Sequence, residues 1–211
     1  IFSKMKQGIT LLIVLLFAGI STTSFAQIRF GAKTGLNFSN MSAKSDLGNA
    51  DEIYKTKIGF HIGVTAEVPL SANLYFEPAL LFSTKGFKID ETLAKGSTNL
   101  NYLELPLNLL YKFDVGSLKL FALAGPYVGF AMSGKTKADG IDDITLKIGT
   151  NKEEDSIKPL DFGANFGAGV EISNITVGLQ YGLGLANIAT NTDGGVSVKN
   201  KVFGVSVGYK F

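Results

Sequence analysis

Ionisable side chains occupy alternate positions within stretches of this sequence that are otherwise apolar. In "KIGFHIGVTAEV", His61 and Glu67 share one parity, whereas Ile58, Phe60 and Ile62 fill the other. A β-strand places alternate residues on opposite faces, so such groups gather on one face of a sheet. That face could supply an acid–base pair, line a narrow ion path, or form a buried network of ion pairs. The residues concerned are Arg29, Lys33, Lys57, His61, Glu67, Glu77, Lys85, Glu104, Lys112, Asp161, Glu171 and Lys210.

Acid–base catalysis would depend on His61, because it is the single histidine of the chain. A hydrolytic site would also need a nearby serine or carboxylate and an accessible cleft. Ser83 and Glu67 are available, but no sequence motif joins either of them to the histidine. We therefore predict that the protein is not an enzyme, and that His61 is an interior residue hydrogen-bonded to a neighbour.

Other motifs do not indicate a cofactor or a metal ion. "GANFGAG" and "GLGLAN" lie inside alternating stretches with no helix after them, so they lack the geometry of a phosphate-binding loop. The acidic groups 139–143 and 153–155 do not have the spacing of a calcium loop and are interleaved with lysines. The chain contains no cysteine, which excludes disulfides and thiolate metal sites.

The net charge gives no indication of nucleic-acid binding. The chain has 20 Lys and Arg against 18 Asp and Glu, and removing Lys4 and Lys6 leaves 18 against 18. These two lysines belong to an N-terminal segment that resembles an export signal, in which "ITLLIVLLFAGI" is too short to span a membrane as a helix. We predict a signal peptide at 1–26, with 1–4 as upstream read-through and cleavage between Ala26 and Gln27.

The remainder, 27–211, reads as one domain of eight alternating segments without a helix. They cover approximately 28–39, 57–68, 74–87, 100–113, 118–133, 160–172, 175–187 and 201–211. Most are longer than the ~5–6 residues of an average strand. Each reaches the ~9–11 residues that a tilted strand needs to cross a membrane.

The connections alternate between short and long. "PLSAN", "DVGS" and "SN" are short, whereas the regions around 40–56, 88–99, 134–159 and 188–200 are long and polar. Short turns at one end and long loops at the other are typical of an outer-membrane barrel, in which the turns are periplasmic. With eight strands, both termini would also be periplasmic and the long loops extracellular.

Three regularities predict that the apolar faces point outward to lipid. First, if the charged faces of the strands were buried in a soluble core, the opposite, apolar faces would be exposed to water as large stripes. Fourteen strand glycines share the predicted interior parity: 31, 35, 59, 63, 125, 129, 163, 167, 169, 178, 182, 184, 204 and 208. Outward aromatics collect at both ends of the strands, as in the aromatic girdles of membrane barrels. Leu110 and Phe121 fit less well, because this register points them inward.

Several segments resemble a known family. "YLELPLNLLYKF", "LFALAGPYVGF" and "FGVSVGYKF", together with the exported start, are similar to the outer-membrane β-barrel domain of porin-family, PorT-like proteins of Bacteroidota. The resemblance implies an eight-stranded antiparallel up-and-down barrel inserted in the outer membrane of a Gram-negative bacterium. It also implies that Val207, Tyr209 and Phe211 form the terminal signal that the barrel-assembly machinery recognises.

Two functions remain open from the sequence. A narrow eight-stranded barrel is filled by side chains, which favours a lumen plugged by Arg29, Lys33, His61, Glu67, Glu77, Glu104, Lys112, Asp161, Glu171 and Lys210. The protein would then act in envelope structure, or bind a ligand or partner through its loops, among which 134–158 is the best candidate. The alternative is a small pore or an accessory subunit of a transport or secretion machine. Expected partners are outer-membrane lipid and lipopolysaccharide.

Overall fold

The computed structural model describes residues 28–211, except for 47, 50–53, 92–93 and 139. The predicted signal peptide, with its cleavage site at Ala26 and Gln27, lies outside the described residues. Among the residues described, no helix is long and apolar enough to cross a membrane.

The described chain is almost entirely β-structure. A single 3₁₀ turn at Asp193–Gly195 interrupts the last long connection. The strands are β1 Arg29–Ser45, β2 Gly48–Asn49, β3 Tyr54–Pro69, β4 Leu74–Glu91, β5 Ala94–Val115, β6 Leu118–Ala138, β7 Ile141–Leu146, β8 Leu160–Ile172, β9 Ile175–Gly184 and β10 Ser197–Lys210.

Eight of these strands form a closed antiparallel ring, which confirms the predicted architecture. Each strand pairs with its neighbours in the order β1, β3, β4, β5, β6, β8, β9 and β10, and β10 pairs back with β1. The closing register aligns Gly31 with Lys210 and Phe38 with Phe203. Closure removes the unpaired edges that an open sheet would expose.

The outer face is apolar along the strands, as the alternation predicted. Phe30 is 62% exposed and Ile62 is 53% exposed, although both are large apolar residues. Aromatic pairs lie at both ends of the strands: Phe38–Phe203 and Phe60–Phe82 near the long loops, and Tyr111–Phe113 and Tyr209–Phe211 near the short turns. A continuous apolar exterior with aromatic ends is the surface of a membrane-spanning barrel.

The strands extend further toward the long-loop end than the sequence predicted. The region 88–99, predicted to be a long loop, is mostly a hairpin in which Lys88 pairs with Ser97 and Asp90 with Lys95. The region 134–159 contains the end of β6 and all of β7, which pair with each other. These extensions are rich in charged and small polar residues, and apolar residues such as Ile144 and Leu146 are too few in them to show the alternation on which the prediction depended.

Interior glycines allow neighbouring strands to approach closely. A Cβ added at Gly63 would collide with the carbonyl oxygen of Leu80, and one added at Gly125 would collide with that of Leu107. Side chains at these positions would therefore push the strands apart. The predicted role of glycine, relief of crowding on the inner face of a sharply curved sheet, fits this geometry.

Candidate functional site

The barrel interior holds most of the ionisable residues that the sequence placed on one face, and they divide into two groups. The first, the turn-end network, lies near the short turns and consists of Arg29, Glu67, Glu77, Lys112, Glu171 and Lys210. Each of its members comes from a different strand of the ring. The network therefore joins six of the eight strands across the lumen.

Distances within the turn-end network are those of direct ion pairs. Lys112 Nζ lies 2.7 Å from Glu67 Oε2 and 2.6 Å from Glu171 Oε2. Lys210 contacts Glu67, and its Nζ also lies 3.2 Å from Glu171 Oε2. Arg29 Nη1 donates to Glu171 Oε1 at 2.9 Å. Three cations thus face three carboxylates, and this balance offsets the large desolvation cost of burying each charge.

The second group, the loop-end network, contains Lys85, Glu104 and Asp161. Lys85 Nζ lies 2.9 Å from Glu104 Oε1 and 3.2 Å from Asp161 Oδ2. The rings of Tyr102 and Tyr127 lie 5.0 Å and 4.6 Å from the same ammonium group, within the range of a cation–π contact.

Asp161 is fully buried at the centre of this second group. Its Oδ2 accepts hydrogen bonds from Asn200 Nδ2 at 2.9 Å and from the Tyr127 hydroxyl at 3.3 Å. Neutral donors thus supplement the single cation that Asp161 shares with Glu104. The loop-end network carries one lysine against two carboxylates, a formal charge of −1.

His61 lines the same cavity as Lys85 and Glu104 but is not part of a catalytic triad. Its Nδ1 is 2.8 Å from Asn37 Oδ1. The Asn37 amide nitrogen donates to Ser83 Oγ at 3.0 Å, so the Asn37 amide oxygen is left to accept a hydrogen bond from the Nδ1–H of the histidine. Glu67 belongs to the turn-end network instead. The combination of His61, Ser83 and Glu67 that the sequence made available is therefore not assembled.

Lys33 lies beside two small interior cavities rather than in an ion pair. The cavities measure about 40 Å³ and about 20 Å³, and Lys33, Gln180 and Ser206 line both. Within the described part of the chain, Lys33 has no carboxylate within ion-pair distance. One water molecule needs about 10–15 Å³, so the cavities have room for a few waters.

An apolar cluster closes the lumen above the loop-end network. Met41, Leu100, Tyr102 and Ile188, which we call the apolar plug, pack together and are each at most 3% exposed. Three of them come from the barrel strands β1 and β5, whereas Ile188 comes from the connection between β9 and β10. A loop residue thus folds into the barrel opening.

Two acidic residues of loop 134–158, Asp143 and Asp155, are bound to neighbours in the loop. Asp143 Oδ2 lies 3.2 Å from Lys135 Nζ and 3.3 Å from Lys137 Nζ. The hydrogen bond from Lys135 lowers the pKa of Asp143 below its ordinary value. Asp155 accepts a hydrogen bond from the Asn151 backbone N–H at 2.8 Å. Among the described residues, no group of three or more His, Asp or Glu side chains is placed to hold a metal ion.

The predicted assembly signal lies on the outer face of the closing strand. Val207, Tyr209 and Phe211 are all at least half exposed. The backbone N–H of Phe211 donates to the carbonyl of Phe30 at 2.8 Å, which extends the contact between the two ends of the domain. The aromatic terminus is therefore fixed in the barrel wall.

Sequence reasoning missed several interior residues. Tyr102 and Tyr127 share the parity of Glu104 and Phe121 on their strands, so alternation could have found them. No local signal identified Ile188, because its position depends on how a loop folds back. The predicted register pointed Leu110 and Phe121 inward, although they fitted the pattern less well. The structure confirms these inward positions, because both residues are buried and pack together.

Solved structures of small bacterial barrels are similar in outline to this chain. Neisserial surface protein A is 16% identical, with 86% of this chain and 97% of that chain covered and a TM-score of 0.43. OprG from Pseudomonas aeruginosa is 14% identical, with 87% and 94% covered and a TM-score of 0.45. Ail of Yersinia pestis is 14% identical, with 86% and 98% covered and a TM-score of 0.41.

Comparison at the level of sequence gives two results. No curated protein matches the chain. The family described as "Outer membrane protein beta-barrel domain" matches residues 23–190, which is most of the chain and includes seven of the eight strands of the closed ring, all except β10. This protein therefore belongs to the outer membrane protein beta-barrel domain family.

Proposed function

We propose that this protein is a non-catalytic outer-membrane barrel with a plugged lumen, and that it acts in envelope structure or in binding through its long-loop end. The observation that carries the proposal is that three successive layers of side chains block the lumen. The turn-end network, the loop-end network and the apolar plug follow one another from one opening to the other.

The charged barriers oppose conduction because their members are paired and buried. A permeating ion would have to separate Lys112 from Glu171, 2.6 Å apart, and then Lys85 from Glu104, 2.9 Å apart. A charge separated from its partner in the lumen would remain buried without compensation, which is costly. Such a barrier at two levels supports a structural role for these charges.

The proposed orientation places the long loops outside the cell and both termini in the periplasm. Connections of two to four residues follow β3, β5 and β8, whereas the opposite end carries the extended β4–β5 hairpin and the longer connections 46–53, 139–159 and 185–196. This asymmetry is typical of outer-membrane barrels with periplasmic turns. Val207, Tyr209 and Phe211 would then be presented to the barrel-assembly machinery at the periplasmic end.

Lipopolysaccharide is the partner we propose for the outward face near the long loops. The strand register places Lys55 opposite Lys88, Lys88 opposite Ser97, and Ser97 opposite Lys137. These lysines thus bring several positive charges close together on neighbouring strands, and such a cluster attracts an anion. Phosphate groups of lipopolysaccharide, which lie at this level of an outer membrane, have the required charge.

The finer relationship, to porin-family, PorT-like proteins of Bacteroidota, remains a prediction from sequence. It depends on the segments "YLELPLNLLYKF" and "LFALAGPYVGF", which occupy β5 and β6. In the structure these segments supply parts of both interior networks and the apolar plug. They therefore describe how the barrel is built rather than what it binds.

Single-channel conductance of the purified protein in a planar bilayer tests the plugged lumen. Folding is verified beforehand by the shift in migration between boiled and unboiled samples on a detergent gel. We expect a folded barrel that gives no conductance steps. Steady, ion-selective steps would overturn the proposal.

One observation favours the alternative, a narrow pore. Lys33 lines both interior cavities, which lie at adjoining levels of the lumen and share Gln180 and Ser206. If the loop-side barriers move aside, this lysine would face the water path. The pore hypothesis predicts that Lys33→Gln or Glu104→Gln changes ion selectivity, whereas the plugged barrel predicts no current in any of these variants.

A further inference from the structure

An apolar pocket of about 210 Å³ lies at the long-loop end of the barrel, directly above the apolar plug. We call it the mouth pocket. Its walls come from the barrel strands and from two long connections, one between β6 and β8 and the other between β9 and β10. The walls include Tyr54, Phe87, Thr98, Thr136, Leu146 and Val198. It is the part of the lumen that is reached from the loop side without crossing either charged network.

Backbone hydrogen bonds hold the loop side of the mouth pocket in place. Lys158 N–H donates to the Ile188 carbonyl at 2.9 Å, and Ile188 N–H donates to the Val198 carbonyl at 2.9 Å. Ile157, which lines the pocket, forms isolated bridges with Ile148 and Ala189. The two long connections are therefore tied to each other and to β10 across the opening. The pocket has a built cover rather than a gap between unrelated loops.

The lining determines which chemistry the mouth pocket accepts. Among the described residues, no Asp, Glu, Lys or Arg lines it. Its polar groups are hydroxyls, and Thr98 Oγ1 lies 3.0 Å from Thr136 Oγ1. Only one of these hydroxyls donates to the other, so the second keeps a proton for an external acceptor, and lone pairs remain for an external donor. A charged ligand would lose its hydration without compensation, whereas a neutral ligand with one polar group would be matched.

Aromatic side chains and size narrow the ligand further. Tyr54 and Phe87 form an edge-to-face pair in the wall, with ring centroids 4.6 Å apart and planes at 81°. Such a pair offers a ring face and a ring edge to a third aromatic ring. A dry apolar cavity of about 150 Å³ binds benzene. The mouth pocket, at about 210 Å³, has room for a small fused ring system.

The floor of the mouth pocket makes it a binding site rather than the entrance to a path. Met41 and Ile188 belong both to the pocket lining and to the apolar plug. Beneath them, Tyr102 is 0% exposed and packs against Leu100. A molecule in the pocket thus has an apolar surface on its inner side and meets no hydrated continuation into the lumen.

We propose that the mouth pocket binds one small, uncharged aromatic molecule with a single hydrogen-bonding group, which is oriented by the Thr98–Thr136 hydroxyl pair. The inference deepens the proposed function, because it identifies a ligand class for the long-loop end. Its failure is separable from that of the plugged lumen, because binding and conductance are measured independently.

Indole is a suitable probe, because it is neutral, has one N–H donor and matches the pocket in size. The chain contains no tryptophan, so indole excited at wavelengths that tyrosine does not absorb gives no protein background. Fluorescence anisotropy is followed while the full-length protein in lipid nanodiscs is titrated into indole. Val198→Phe fills the pocket from β10, and Ala189→Phe fills it from the loop. Met132→Phe adds the same ring on the exposed outer surface as a matched control.

We expect saturable binding that weakens at least 10-fold in each filled variant that passes the gel test for folding and is unchanged in Met132→Phe. Indole-3-acetate, which adds a carboxylate, should bind at least 10-fold more weakly than indole. Equal anisotropy changes in the wild type and in the filled variants would mean simple partitioning into lipid and would overturn the proposal. Equal affinity for indole and indole-3-acetate would also overturn it. The two filling positions lie on separate elements, so one variant decides the matter if the other does not fold.

Discussion

Replacing Lys112 with methionine should strongly destabilise the barrel. The change keeps the length of the side chain but removes an ammonium group that lies 2.7 Å from Glu67 Oε2 and 2.6 Å from Glu171 Oε2. Three carboxylates of the turn-end network would then face two cations. All three side chains of this contact are at most 3% exposed, so water cannot replace the lost partner.

The magnitude follows from the burial of the pair. Breaking a buried ion pair by removing one partner costs about 3–5 kcal/mol, whereas an exposed pair contributes about 0–1 kcal/mol. Lys119→Met is the matched control, because Lys119 Nζ lies 3.3 Å from Asp114 Oδ1 and both side chains are exposed, at 44% and 71%. The same substitution should therefore lower the free energy of unfolding far more at Lys112 than at Lys119.

Reversible urea unfolding of the protein in lipid vesicles measures the difference. The folded fraction is read from the migration of unboiled samples on a gel and from tyrosine fluorescence. The slope of the unfolding free energy against urea concentration is compared between variants to verify that it is unchanged. Glu171→Gln in the Lys112→Met background restores two carboxylates to two cations and should recover part of the loss. If the free energies of unfolding of Lys112→Met and Lys119→Met differ by less than about 1 kcal/mol, the buried ion pairs of the turn-end network do not stabilise the barrel.

Three further predictions test other parts of the structure. Gly63→Ala should impair folding, because the added Cβ would collide with the Leu80 carbonyl oxygen. Gly204→Ala should fold normally, because the atom nearest to its added Cβ, Asn37 Oδ1, lies 3.7 Å away. Gel migration of unboiled samples compares the two variants. Because the pKa of Asp143 is lowered, its ion pair should stabilise the loop at pH values above the ordinary carboxylate pKa, and this stabilisation should be lost as the pH falls through the lowered pKa. An NMR titration should show that Lys135→Met raises the pKa of Asp143. Deleting 135–157 should leave the barrel folded but abolish capture of a loop-binding partner, since the ring pairing of β6 with β8 ends at Phe130; loss of the gel shift in the deletion would contradict this.

The sequence by itself determined the number of barrel strands, their faces and the end at which the long connections lie. These features are local: alternation of apolar and polar residues assigns a face, and short turns join adjacent antiparallel strands. The same logic correctly pointed Leu110 inward, although a leucine in a polar lumen conflicted with the general pattern. It failed for the hairpin at 88–99, where charged and small polar residues predominate and the period carries little information.

Only the tertiary structure decided which charges meet. Arg29 and Glu171 are 142 residues apart in sequence, and they become neighbours because β10 pairs with β1 and closes the ring. Equally, Ile188 enters the barrel opening only because its loop folds back onto β10. Parity reports the face on which a side chain lies, whereas its height and its partner depend on the stagger of all the strands around the barrel. That stagger is a property of the closed ring and is not encoded in any single segment.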